Sequence, residues 1–157
     1  MAPPLILDLK HIDLNHVAYD IEAIRKINPH RHEMEQLTSV IYADPNPPTL
    51  VGLKEVTMNE FWVRGHIPGE PIMPGVIMLE AAAQLCSIGH KLLTPHEGFM
   101  GFVKLDEARF RATVRPPSKL YLIARLKSVS SRRVVADCQG VCNDNVVFEA
   151  VITGMLL

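Results

Sequence analysis

Cysteine is scarce in this 157-residue chain, with three residues at positions 86, 138 and 142 and no CxxC spacing. An odd number without paired spacing excludes a disulfide-stapled secreted framework and a zinc ribbon, and makes a reducing cytoplasm the expected setting. Aromatics are also few, at 6% of residues. They do not interleave with the basic residues as on a single-strand stacking platform, so nucleic acid is not an expected partner. No unbroken apolar run reaches 18 residues, and no membrane span is expected. The start, MAPPLILDLKHID, has no basic residue ahead of its apolar stretch and does not read as a signal peptide. There is no internal repeat or low-complexity run.

What is present is an ordinary globular composition, 48% apolar and 21% charged with a net charge of −1. That excludes a disordered tail and a charged helical rod. The length predicts one domain over 1–157, long enough for a sizeable core. The near-neutral total hides an asymmetry. Residues 104–133 carry nine Lys and Arg against two acids, Asp106 and Glu107. Such a stretch is either a set of solvated strand faces or a surface for an acidic or phosphate-bearing partner.

Residues 1–15 alternate loosely and are expected to form a docked N-terminal extension. The Ile spacing in Asp20–Asn28 predicts a short amphipathic helix stopped by Pro29. ADPNPP (43–48) is expected to be a turn that excludes regular structure, followed by a strand over 50–58. RGHIPGEPIMPG (64–75) has three prolines and three glycines and predicts a stiff loop. It runs into VIMLEAAAQLCSIGHKLL (76–93), apolar nearly all round and therefore a buried helix, ended by Thr94-Pro95. Segments 99–110, 119–128, 132–142 and 145–156 read as strands whose short connections predict antiparallel pairing. One buried helix with an antiparallel sheet is an α+β architecture.

On that helix Glu80, Gln84, Ser87 and Lys91 form a narrow polar stripe, which either faces water or lines a site. An early helical carboxylate is favoured by the macrodipole, whereas apolar surroundings raise its pKa, so the two effects oppose. His66 sits in the stiff loop leading to the helix N-terminus, where the N–H groups of Gly75 and Val76 are free to polarise a carbonyl. A base, an acid and an oxyanion site are what α-proton abstraction beside a thioester and loss of a β-hydroxyl require. The other histidines lack such a setting. His30-Arg31-His32 has no evident third ligand, so no metal and no cofactor is expected. The cysteines read as small buried hydrophobes.

GHIPGEPIMPGVIMLEAAAQ (65–84) closely resembles the signature of the (3R)-hydroxyacyl-[acyl-carrier-protein] dehydratases of bacterial fatty-acid synthesis. LVGLKEVTMNEFW (50–62), FVKLDEARFRATV (102–114) and NPHR (28–31) are similar to further family segments. The resemblance implies a hotdog fold, a long central helix wrapped by a curved antiparallel sheet. It implies homodimers assembled into hexamers as trimers of dimers, and acyl carrier protein as the partner that brings the substrate. By that likeness His66 matches the catalytic His and Glu80 the acid, Gly75 holds the thioester carbonyl, and Gln84, one turn beyond the acid, is a substrate-binding residue. Val76, Pro74 and Ile67 belong to the implied substrate-binding walls, with Ile67 standing where the family has Phe. Gly101 stands where many members have a gating Tyr. The isomerase branch carries Asp at the acid position, so Glu80 favours dehydration without isomerisation. The alternatives are a hotdog acyl thioesterase and a non-catalytic subunit that binds acyl carrier protein.

Overall fold

The computed structural model describes residues 1–157. Its elements are α1 (Ile21–Ile27), β1 (Ser39–Pro45), β2 (Pro48–Val56), α2 (Gly75–Leu93), β3 (Met100–Phe110), β4 (Ser118–Val129), β5 (Arg133–Cys142) and β6 (Asn145–Leu156), with short 3₁₀ turns at Leu9–His11 and His32–Met34. The six strands form one antiparallel sheet in the order β1-β2-β4-β5-β6-β3. The sheet wraps α2, which is buried from Met78 to His90 apart from Glu80 and Ala83. This is the α+β hotdog arrangement. By length and composition α2 is apolar enough to cross a bilayer; here strands take the place of lipid.

Alternation builds the two faces. Leu120, Leu122, Ala124 and Leu126 of β4 point into the main core around α2. Ile123 points the other way, with Val51, Leu53 and Val141, as the period-2 pleat requires. That outer patch is covered by Ile6, Leu7, Leu9, Ile12 and Leu14 of the N-terminal segment. Side chains bind this segment to the sheet: Ile6 N donates to Gln139 Oε1 (2.8 Å), and Arg125 Nη2 donates to the Ile6 carbonyl (2.7 Å). At α1, Asp20 Oδ1 caps the helix by accepting from Ala23 N at 2.9 Å, an interaction worth about 1 kcal/mol.

Two expectations about pairing fail. Residues 43–48 are not outside regular structure: β1 and β2 pair through Pro45↔Pro48, and only Asn46 and Pro47 lie between the strands. Pro45 is tolerated because β1 is an edge strand and the pair sits at its end. Strand β1 has no signal of its own, since Ser39–Tyr42 is too short before the prolines. Nor do all successive strands pair. β3 lies beside β6 at the far edge, and β4 inserts between β2 and β5. The 111–117 connection crosses rather than turns. Arg111 N donates to the Val147 carbonyl, and Met73 N donates to that of Val114, so the crossing carries the end of the stiff loop with it.

Candidate active site

The stiff loop between β2 and α2 is pinned at several points. Trp62 and Met73 are buried, and the nearly buried Lys54 of β2 pairs with Glu60 at 3.1 Å. Between these anchors His66 and Ile67 are exposed. His66 Nδ1 lies 2.8 Å from the Ile72 carbonyl. A carbonyl only accepts, so Nδ1 carries the proton and Nε2 keeps its lone pair. The ring is thus held in the tautomer of a base.

At the helix start Pro74 offers no side-chain cap. The first N–H groups of α2, Gly75 and Val76, have no intrahelical acceptor, as at any helix start, and no side chain caps them. Val76 is exposed. Gly75 has a packing reason to be glycine, because a Cβ there would stand 2.6 Å from Phe110 Cε1 of β3.

One turn and a half further on, Glu80 lines a cavity of ≈ 130 Å³ with His30, Ala83, Gln84, Cys86, Ser87, Met100, Gly101, Phe102, Val134, Ile152 and Gly154. Glu80, Gln84 and Ser87 of the polar stripe accordingly line this cavity, whereas Lys91 does not. Gln84 is only 2% exposed. Its Oε1 accepts from Gln36 N (3.0 Å), and its Nε2 donates to the Met34 carbonyl (2.7 Å) and to Glu80 Oε1 (2.9 Å). Both amide hydrogens of Gln84 and one lone pair of its oxygen hold segment 34–36 and Glu80.

His30, which lacks the stiff-loop setting of His66, is nonetheless brought against Glu80. His30 Nε2 lies 3.3 Å from Glu80 Oε1. The balance at Glu80 left open by the sequence also resolves: the hydrogen bond from His30, opposed by desolvation and aided by Gln84, holds the carboxyl below the usual range in the single chain. A signal for His30 did exist. Glu80 and Gln84 on a buried helix demand polar partners, but seven histidines gave no means of choosing one.

Within one chain His66 bonds Ile72 while Glu80 bonds His30 and Gln84, and no hydrogen bond or ion pair joins the two. The exposed His66, the cavity-lining Glu80 and the uncapped helix N-terminus thus keep separate partners. Gly101 lies at the cavity wall, and a Cβ there would meet Leu157 Cδ1 at 2.7 Å.

The basic stretch is neutralised only in part within the chain. Lys104 pairs with Asp106, Arg111 with Glu149, Arg115 with Glu70 and Lys127 with Asp137, and Arg125 holds the N-terminal segment. Arg109, Lys119, Arg132 and Arg133 remain without an acidic partner in the chain.

Residues 28–151 match the FabA-like domain family. The chain is 36% identical over 135 residues to the 3-hydroxyacyl-[acyl-carrier-protein] dehydratase FabZ of Desulfotalea psychrophila, covering 83% of this chain and 89% of that one. It is 36% identical over 141 residues to the FabZ of a Hydrogenobaculum species, covering 85% and 91%. Among solved structures the dehydratase heterocomplex ApeI:P of Xenorhabdus doucetiae superposes with a TM-score of 0.70 at 15% identity, over 85% of this chain and 90% of that one. A mutant thioesterase from Pseudomonas aeruginosa reaches 0.67, also at 15% identity, over 89% and 95%. At such identity these two share the fold alone, whereas the extent and identity of the sequence matches decide the family: the chain belongs to the FabA-like family, alongside the FabZ 3-hydroxyacyl-[acyl-carrier-protein] dehydratases.

Proposed function

We propose that this chain removes water from (3R)-3-hydroxyacyl thioesters carried on acyl carrier protein, giving trans-2-enoyl thioesters for fatty-acid synthesis. His66 Nε2 takes the α-proton. The N–H groups at Gly75 and Val76 receive the thioester oxygen as it gains negative charge, and Glu80 gives a proton to the departing β-hydroxyl. The proton count balances: one leaves carbon to His66, one joins hydroxide from Glu80, and water departs. Pro74 and Ile67 line the approach. The observation that carries the reading is His66 itself, whose Nδ1 is taken up by Ile72 and whose Nε2 is left free in an exposed loop that runs into the uncapped start of α2.

Glu80 begins as a carboxylate held low by His30, yet an acid is required. Its side chain is still 23% exposed. Substrate filling the cavity removes that water and strengthens the one effect that raises its pKa.

The reading includes a homodimer. β3 is an edge strand with a free row of backbone groups, and Phe102, Val103 and Leu105 along it are exposed. Such an edge is normally covered. A second copy paired there antiparallel would supply the missing half of each site, His66 from one chain and Glu80 from the other. The family likeness extends this to hexamers, and the three free thiols fit a reducing cytoplasm.

A spectrophotometric assay with 3-hydroxyacyl thioesters of graded chain length tests the function. Enoyl absorbance should appear without free thiol. Thiol release without an enoyl product would instead indicate a thioesterase, and inertness towards every length would indicate a binding subunit.

Arg132 and Arg133, adjacent in the chain, are two of the four cations left unpaired and available to an acidic carrier. Reversing both to Glu should raise KM for carrier-bound substrate but not for a small thioester. The wild-type KM for the carrier substrate should also rise with salt, since exposed charge pairs are screened beyond roughly 8–10 Å. Equal effects on both substrates would place these arginines on an ordinary solvated turn.

A further inference from the structure

Two donors from distant parts of the chain converge on one oxygen of Glu80. His30 Nε2 lies 3.3 Å from Oε1 and Gln84 Nε2 lies 2.9 Å from the same atom, while Oε2 takes no hydrogen bond from the chain. We infer that His30, acting with Gln84, is the positioning residue of the acid: the pair fixes Oε1 as the accepting oxygen and leaves Oε2 to carry and deliver the proton. This rests on the reading of Glu80 as the acid and adds the group that orients it.

The tautomer of His30 follows from its surroundings. Nδ1 is buried and has no partner. A proton there would be a buried donor without an acceptor, so the proton belongs on Nε2, which lies 3.3 Å from Glu80 Oε1. When the carboxyl is protonated, Oε1 continues to accept both donors as the carbonyl oxygen, and the O–H is confined to Oε2. A freely rotating carboxylic acid would present its proton in several directions. This one presents it in one.

The segment holding His30 is built to stay in place. Arg31 donates to the carbonyls of Asn28, His30 and Arg25 at 3.0, 2.7 and 3.1 Å. Arg25 grips Glu35 through two hydrogen bonds, at 2.7 and 3.0 Å. Asn28 Nδ2 donates to the Gln84 carbonyl of α2 at 3.0 Å. His32, just past the ring, holds a φ of 56°, a left-handed conformation unusual for a side chain of this size. The segment and α2 are thus tied at both Asn28 and Gln36, on either side of His30.

The test reads Glu80 directly. In protein labelled with ¹³C-carboxyl glutamate, the Glu80 signal is identified by its loss in Glu80→Gln. In His30→Ala the Glu80 carboxyl should titrate at higher pH than in the wild type, because a donor favouring the anion is gone. Turnover of a small 3-hydroxyacyl thioester should fall on the order of tenfold to a hundredfold in kcat, with KM held within about twofold. His30→Gln, whose amide N–H has similar reach, should recover part of both effects. Should His30→Ala fail to fold, His30→Phe fills the volume without a donor and takes its place. An unchanged Glu80 titration in a folded donor-less variant overturns the inference, as does a loss lying in KM alone. The titration needs no turnover, so a wild-type chain that dehydrates nothing would remove the proposed reaction and still leave the His30–Glu80 coupling decided.

Discussion

His66→Ala and Glu80→Gln are each expected to lower dehydration by roughly 10²–10⁴-fold, the usual contribution of a general acid or base, with folding intact. His66 is exposed and its one side-chain hydrogen bond runs to a loop carbonyl, so its removal takes little from the core. Glu80→Gln keeps an oxygen that accepts from Gln84 and His30 and replaces only the acidic proton. Both variants should therefore match the wild type in far-UV circular dichroism and thermal unfolding. Glu80→Asp should lose less, since it retains an acid one methylene shorter. Near-native dehydration by either His66→Ala or Glu80→Gln would sink the assignment of the two residues.

Mixing the two dead variants should bring activity back. His66→Ala and Glu80→Gln, unfolded and refolded together, pair at random, and about half of the dimers contain one chain of each. In such a mixed dimer with sites shared across the two-fold axis, one site collects both lesions and the other regains an intact His and Glu. About a quarter of native activity should therefore return. The expectation is grounded in the single chain, where His66 and Glu80 have separate partners and share no hydrogen bond or ion pair, and where the open β3 edge exposes Phe102, Val103 and Leu105. If both residues of a site came from one chain, no mixture would restore anything. A mixture as inactive as its parents, with mixed dimers confirmed by native mass spectrometry, would rule out the shared site.

Much of the scaffold was legible because local chemistry specifies it. Three prolines force the loop ahead of α2, small and apolar residues force that helix inward, and Asp20 and Pro29 mark the ends of α1. The last four strands were legible from alternation and fall where expected within a residue or so. Strand β1 was not, because its pattern is short and ends in prolines that only an edge position tolerates. The basic stretch was visible as charge but not as structure. Its partial neutralisation by Glu70, Asp137 and Glu149 depends on residues brought in from other strands and the stiff loop.

The same division runs through the site. Sequence by itself determined that a histidine sits in a rigid loop, that a carboxylate follows on a buried helix, and that free N–H groups lie between them, since each follows from residue type and near-neighbour spacing. The tertiary structure decided which oxygen of Glu80 is held, which of seven histidines lies against it, and that Gln84 ties segment 34–36 to α2. It decided that β3 lies at the sheet edge, across from the position its place in the sequence suggests. The reason is range. Backbone preferences act over a few residues, whereas His30 meets Glu80 only because the sheet curls round α2 and Gln84 ties segment 34–36 against it.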